Sequence, residues 1–459
     1  MDSMQQQPDR EARSPWSTHA GVDIFRLHPP IRPVDGTLQV TGSKSLTNRA
    51  LILAALATGT SRIAGILRSD DAYWCIDCLR KLGVRITVEG DCAVVEGCGG
   101  VWPNSSAELY AGAAGTVARF LPGALAAGVG SWTMSGSSRL QERPLAPLLD
   151  ALTQLGARFE YAGVTRSLPF TLEATGLAGG AVVLPGDSSS QFISGLLLAA
   201  PHAREAVTVR IDGEVVQRDY VEMTLTLMQA FGIEPQVSED GQSITVPVGR
   251  YLARTLQLEP DVSTCCYFWA LAALTAGRVR IEGIDAANTT QPDIEMLELL
   301  ERMGCTIIRG CDYVEVQGAE ALRGGFSVNM KRWSDQTLTV AVLAIYADGP
   351  ITMTDAAHIR HHECDRIAAI CQELRRLGIR ADEHPDGLTV YPGQPKPALL
   401  DAHDDHRMAM ALALVGSKAG GIRIMDPGCV SKTCPDYFDR MAALGLRIEY
   451  EAGGSADGR

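Results

Sequence analysis

The sequence predicts an α/β (α+β) protein of two similar domains, each built from three copies of one unit, so that a six-fold internal repeat runs through the chain. Two observations carry this. An apolar-Gly step recurs at Leu82-Gly83-Val84, Leu155-Gly156-Ala157, Phe231-Gly232-Ile233, Met303-Gly304-Cys305, Leu377-Gly378-Ile379 and Leu444-Gly445-Leu446, with glycine spacings of 73, 76, 72, 74 and 67 residues. Each step also joins a helix-like stretch directly to a strand-like run, as in Val84-Arg85-Ile86-Thr87-Val88.

The stretches Cys75 to Leu82, Pro147 to Leu155, Val221 to Phe231, Ile294 to Met303, Ile367 to Leu377 and Tyr437 to Leu444 read as helices, and the glycine after each suits a C-terminal cap with positive φ. A second, Ala/Leu-rich helix also ends near glycine before a strand: Arg49 to Gly59, Tyr267 to Gly277 and Thr337 to Gly349. A unit of about 70 residues is too small for a comfortable core of its own, so three are expected per domain. The first domain is expected over residues 42–248 and the second over 24–41 plus 256–451, with a hinge near Pro247-Val248-Gly249-Arg250. Two similar domains joined by thin crossings predict an active site in the interdomain cleft. Residues 1–20 are expected to be a disordered tail and 452–459 a flexible one.

The 459 residues, 46% hydrophobic and 21% charged, leave room for real cores and exclude a disordered chain. Lys and Arg number 41 against 54 Asp and Glu, a net charge of −13 that repels nucleic acid. An anionic small molecule would need cations gathered locally. No apolar run approaches the length of a membrane span and the first residues lack an apolar signal core, which predicts a cytoplasmic protein without a membrane partner. Twelve cysteines in such a chain are expected to be reduced, and Cys75-Ile-Asp-Cys78 has no second pair at zinc-site spacing.

Polar and cationic residues collect where apolar helices begin. Gly42-Ser43-Lys44-Ser45-Leu46-Thr47-Asn48-Arg49, Gly112-Ala113-Ala114-Gly115-Thr116-Val117-Ala118-Arg119 and Gly186-Asp187-Ser188-Ser189-Ser190-Gln191 each open one. Such starts expose backbone N–H groups to an anion. Any one of them alone reads as an ordinary cap; three in equivalent positions of a repeat point to a site. Asp261-Val262-Ser263-Thr264 and Asp335-Gln336-Thr337 also begin helices, and Asp261 reads as an N-cap. Mixed-sign clusters follow at His361-His362-Glu363-Cys364-Asp365-Arg366, Asp404-Asp405-His406-Arg407 and Ser431-Lys432-Thr433-Cys434.

With GSKSLTNRA, AGTVAR, QERPLAPLLDAL, SSSQF, DHRMAMALAL and SKTCPDYF in this order, the chain resembles the 5-enolpyruvylshikimate-3-phosphate synthase family of enolpyruvyl transferases over about residues 24 to 450. The resemblance implies domains of three βαβαββ-type units. It also implies transfer of the enolpyruvyl group of phosphoenolpyruvate to a hydroxyl of 3-phosphoshikimate, by addition and then elimination of phosphate, within aromatic amino acid biosynthesis. No metal or organic cofactor is implied, and a monomer acting on small anionic substrates is expected. By resemblance Lys44, Gly115, Arg143, Gln191 and Lys432 would hold the phosphate of phosphoenolpyruvate, and Arg366 and Arg407 its carboxylate. Asp335 would be the base on the acceptor, with Glu363 and Lys44 moving the proton at the methylene. Ser45, Arg49, Ser189, Ser190, Gln191, Tyr220, Asp335, His358 and His362 would face the acceptor.

Four positions depart from the family's pattern. Ala113 stands for an Asn, Gln217 for a Ser, His362 for a Lys and His358 for an Asn. Replacing lysine with a largely neutral imidazole removes a permanent charge where a dianion should sit. A paralogue of secondary metabolism with another shikimate-like or cyclic polyol acceptor therefore stays open, including an elimination without phosphoenolpyruvate. The relative that acts on a UDP-sugar fits worse, because Ser138-Arg139-Leu140-Gln141-Glu142-Arg143 carries no cysteine. From other classes, His358, His361, His362, His403 and His406 could serve a metal-dependent hydrolase, or the fold could persist as a non-catalytic scaffold.

Overall fold

The computed structural model describes residues 9–451. They form two compact units, one over Thr41–Glu259 and the other from Pro260 onward together with the chain before Thr41. Each unit holds three four-stranded sheets, and the six sheets share one plan. In the plainest copy, Ser106–Tyr110 lies parallel to Val129–Ser135, which pairs antiparallel with Phe170–Thr175, itself antiparallel to Arg158–Tyr161. Two parallel neighbours require a crossover, and the helix Gly115–Ala126 supplies it.

Three sheets borrow strands from distant parts of the chain. Thr255–Gln257 is the first strand of the sheet made otherwise by residues 58–98. Asp35–Gln39 plays the same part for the sheet of residues 278–317, and Ile24–His28 is the inner hairpin strand beside Ile422–Met425 and Arg447–Glu451. The chain consequently leaves the Thr41–Glu259 unit at Glu259-Pro260 and not at the expected hinge near residues 247–250. The physical reason is the ladder from Thr255–Gln257 to Arg62–Ala64, which binds residues 255–257 to the earlier sheet. Part of the expected tail is likewise ordered. Residues 10–12 form a 3-10 turn, and Arg13 makes ion pairs with Asp404 and Asp426. Residues 1–8 and 452–459 lie outside the described residues.

The central helices are apolar on every side. Val262–Thr275, Thr337–Ile345 and His406–Val415 pack on one another with nearly every residue buried, and Lys44–Leu56, Gly115–Ala126 and Ser190–Ala199 do the same in the other unit. A helix without a polar face must be enclosed, here by the sheets. Its charged side chains gather in its first two turns. The repeat glycines close the outer helices as expected: Gly83, Gly156, Gly232, Gly304, Gly378 and Gly445 all have positive φ, between 76° and 108°. All twelve cysteines are free thiols, and burial pushes Cys78 up to about 12.

The helices Gly115–Ala126 and Ser190–Ala199 approach closely at Gly195, where an added Cβ would stand 2.0 Å from the carbonyl oxygen of Arg119. Gly195→Ala is expected to lower stability by about 1–3 kcal/mol, read as an earlier urea midpoint; an unchanged midpoint would contradict this packing.

Candidate active site

In the Thr41–Glu259 unit the first turns of three central helices are neighbours. Asn48 Nδ2 donates to Thr116 Oγ1 at 2.6 Å, and Arg49 Nη2 donates to Ser194 Oγ at 3.3 Å. Arg49 is only 1% exposed. Its remaining bonds run to Thr224 Oγ1 (2.7 Å) and to the carbonyls of Ser45 (3.0 Å) and Tyr220 (3.1 Å), with the Phe120 ring 4.8 Å away. These partners are uncharged, and burial draws the guanidinium down to about 10. A buried cation in a neutral shell gains from any anion brought beside it.

Lys44 lies 3.7 Å from the buried carboxylate of Asp71. Gly115 opens its helix under Arg143, where a Cβ would come within 2.9 Å of Nη1, so glycine is what leaves the guanidinium its place over the helix start. Ser189 Oγ accepts from the backbone N–H of Gln191 at 3.2 Å as the N-cap of Ser190–Ala199. Ser190 is buried beside it, while Gln191, Ser45 and Tyr220 are half-buried.

The other unit gathers its expected residues into one ion network. Arg366, 1% exposed, donates through Nε to Asp405 Oδ2 (2.7 Å), through Nη1 to Asp335 Oδ1 (2.9 Å) and through Nη2 to Glu363 Oε2 (2.9 Å). Arg407 Nη2 donates to the second oxygen of Asp335 at 2.7 Å, and Lys432 Nζ reaches the second oxygen of Glu363 at 2.8 Å. Each of the two acids is thus held between two cations. Burial works against the charge on Arg366, but Asp405, Glu363 and Asp335 outweigh it and raise its pKa. Asp261 is a plain N-cap, accepting from Thr264 N at 2.8 Å. Asp335 is not a cap, because it sits inside the 3-10 turn Ser334–Gln336 and turns its carboxylate to the arginines.

The rings of His358 and His362 meet edge to face with centroids 5.8 Å apart, but the candidate histidines do not share one set of partners. His358 Nε2 bonds Ser334 Oγ at 2.7 Å, His362 Nδ1 faces Arg366 Nη1 at 3.0 Å, and His403 Nε2 bonds the buried Glu373 at 2.9 Å. Among the described residues no group of three or more His, Cys, Asp or Glu side chains is arranged to hold a metal ion. Burial lowers His358 to about 4. His362 is pushed well down by burial and by the charge of Arg366, and accepting from that guanidinium through Nδ1 puts its proton on Nε2.

Sequence reasoning passed over four supporting residues. Asp405 reads as the cap of His406–Val415, which it is, through Arg407 N at 2.9 Å; the same carboxylate also anchors Arg366. Asp71 reads as an acid suited to a helix start, Ser194 as an interior residue of an apolar helix and Thr224 as one of a half-buried helix. Only the folded arrangement sets them against Lys44 and Arg49.

The family model for EPSP synthase, 3-phosphoshikimate 1-carboxyvinyltransferase, matches residues 29–441. A protein of Halalkalibacterium halodurans named 3-phosphoshikimate 1-carboxyvinyltransferase 2 is 50% identical over 446 residues, covering 96% of this chain and 99% of that one. A 3-phosphoshikimate 1-carboxyvinyltransferase of a Nostoc species is 41% identical over 421 residues, covering 91% of this chain and 99% of that one. The solved EPSP synthase of Acinetobacter baumannii superposes with a TM-score of 0.78 at 26% identity, over 94% of this chain and all of that one. With the six-sheet fold and the ordered motifs already described, these matches make the chain a member of the EPSP synthase family.

Proposed function

We propose that the protein transfers the enolpyruvyl group of phosphoenolpyruvate to a hydroxyl of 3-phosphoshikimate, releasing phosphate, as a monomeric cytoplasmic enzyme of aromatic amino acid biosynthesis. The observation that carries the reading is the placement of Asp335 and Glu363, each between two cations of one network. The described residues include no helix long and apolar enough to cross a membrane.

The chemistry divides among the residues as follows. The acceptor hydroxyl oxygen adds to C2 of phosphoenolpyruvate as its proton goes to Asp335, and C3 takes a proton from Glu363 or Lys44. Elimination then breaks the C2–O bond to phosphate and returns the C3 proton, restoring the double bond. Arg366 and Arg407 bind the carboxylate by planar forks, and Lys44, Gly115, Arg143, Gln191 and Lys432 bind the phosphate. Ser45, Arg49, Ser189, Ser190, Gln191 and Tyr220 bind the acceptor, Arg49 as the buried cation that awaits an anion.

The ion pairs give this order a physical logic. Arg366 and Arg407 donate to the two oxygens of Asp335. A substrate carboxylate that draws those guanidiniums onto itself frees the Asp335 oxygens to meet the acceptor hydroxyl when it must lose its proton. His358 and His362, both held neutral in this setting, supply hydrogen bonds to the acceptor where the family pattern has Asn and Lys. The high identity to a named carboxyvinyltransferase that spans nearly the whole chain supports the ordinary acceptor over the paralogue reading.

Incubation with phosphoenolpyruvate and 3-phosphoshikimate is expected to release phosphate and yield a product with the mass of enolpyruvylshikimate 3-phosphate; no such product from folded protein would sink the reading. His362→Lys combined with Gln217→Ser is expected to tighten 3-phosphoshikimate about tenfold by restoring a cation, and unchanged or weaker affinity in a titration would show that no anion site was lost there. Because His358 is neutral in the fold and its pKa is depressed, the unfolded chain binds the extra proton first. Its contribution to stability is present above about pH 6.5 and lost as the pH falls towards 4. Imidazole NMR signals of His358 are expected to stay in the neutral form at pH 6, whereas a midpoint near 6.5 would contradict its burial.

A further inference from the structure

The ordered segment before the family match, residues 9–23, closes over two strained turns. Arg13, with a side chain 5% exposed, makes an ion pair with Asp426 and lies 3.6 Å from Asp404. The backbone N–H of Asp9 donates to Asp404 Oδ2 at 3.3 Å, that of Asp426 donates to the Asp23 carbonyl at 2.8 Å, and Thr18 Oγ1 donates to the Pro435 carbonyl at 2.6 Å. Gly428 lets the segment approach, since a Cβ there would collide with Arg13 Nη1 and the carbonyl of His19. His19 stacks on Tyr450 with 5.0 Å between ring centroids.

Both acids under Arg13 are in the left-handed region, Asp404 at φ 51° and Asp426 at φ 54°, and His403 beside Asp404 is at φ 53°. Residues with a Cβ stay there when the surroundings hold them. Asp404 directly precedes Asp405 and the helix start that carries Arg407, and Asp426 directly precedes the turn Pro427–Lys432. One guanidinium therefore pins the entries to both segments. Burial, followed by the charge of Asp426, raises Asp404 to about 6, while Arg13 and then the backbone N–H of Asp9 oppose the rise.

We propose that Arg13 is a positioning residue for the phosphoenolpyruvate clamp: by pairing with Asp404 and Asp426 it holds the two left-handed turns that lead into the segments carrying Arg407 and Lys432. The proposal rests on the roles given above to Arg407 and Lys432. Without Arg13 the half-buried Asp404 carboxylate loses its cation, the turns lose the partner that holds them, and Arg407 and Lys432 are displaced.

Steady-state kinetics with phosphoenolpyruvate and 3-phosphoshikimate test this. Arg13→Ala is expected to raise the KM for phosphoenolpyruvate about tenfold while that for 3-phosphoshikimate stays within about twofold. Arg13→Ala combined with Asp404→Asn, which removes one charge of each sign, is expected to bring the KM for phosphoenolpyruvate back to within about threefold of wild type. An unchanged KM in Arg13→Ala, or a double variant no better than the single one, overturns the proposal. Should Arg13→Ala fail to fold, Arg13→Lys takes its place, its compact, strongly hydrated ammonium being less suited than Nη2 to a buried place between two carboxylates. A raised KM for phosphoenolpyruvate that Asp404→Asn reverses supports the proposal, and a wild-type KM or no reversal overturns it. Absence of product from the wild-type enzyme overturns the reading of function and this proposal with it, whereas an active wild type with an unaffected Arg13→Ala overturns this proposal alone.

Discussion

Arg366 is the side chain on which the ion network of the unit from Pro260 onward depends. It is buried, and its fork divides among Asp405, Asp335 and Glu363. A buried ion cluster is tolerable only when its geometry repays the loss of water. Here the repayment comes from rigid supports: Asp405 is fixed as the cap of His406–Val415, and Arg366 itself begins a helix capped by Asp365. Two helix starts therefore set where Asp335 and Glu363 point, and Arg407 and Lys432 each bind the second oxygen of one of them.

The repeat explains why such features gather at helix starts. Central helices that are apolar all round leave little place for a charge, so cations and acids gather in or just before their first two turns, near the unsatisfied backbone N–H groups. The same device appears three times in each unit with different residues: hydroxyls, glycine and cations in one, carboxylates with arginines in the other. A single structural plan thus supplies two kinds of surface, one suited to anions and one in which acids are held in check by cations.

Much of the fold was legible because it depends on local chemistry. The glycines at positions 83, 156, 232, 304, 378 and 445 announce left-handed caps, and all six have positive φ. The exit at Glu259-Pro260 was not legible, since a three-residue strand is assigned only by the partner it finds in Arg62–Ala64. Nor was the order in residues 9–20, a polar stretch whose Arg13 acquires meaning only from Asp404 and Asp426, some 400 residues away in sequence. The residue types of the site could be read from its motifs. Their partners could not: a cap and an ion-pair anchor look alike at Asp405, and nothing in the sequence says that Arg49 has a neutral shell while Arg366 has three acids.

The claim that Arg366 organises the acids is tested most directly by steady-state kinetics of Asp405→Asn, a change that keeps the size of the side chain and its ability to cap the helix while removing the anchoring charge. The account predicts a folded protein whose kcat/KM for phosphoenolpyruvate falls about 100-fold, a loss of about 2.7 kcal/mol, as Arg366 turns from its fixed place and Asp335 and Glu363 lose their alignment. A kcat/KM equal to that of the wild type would contradict it.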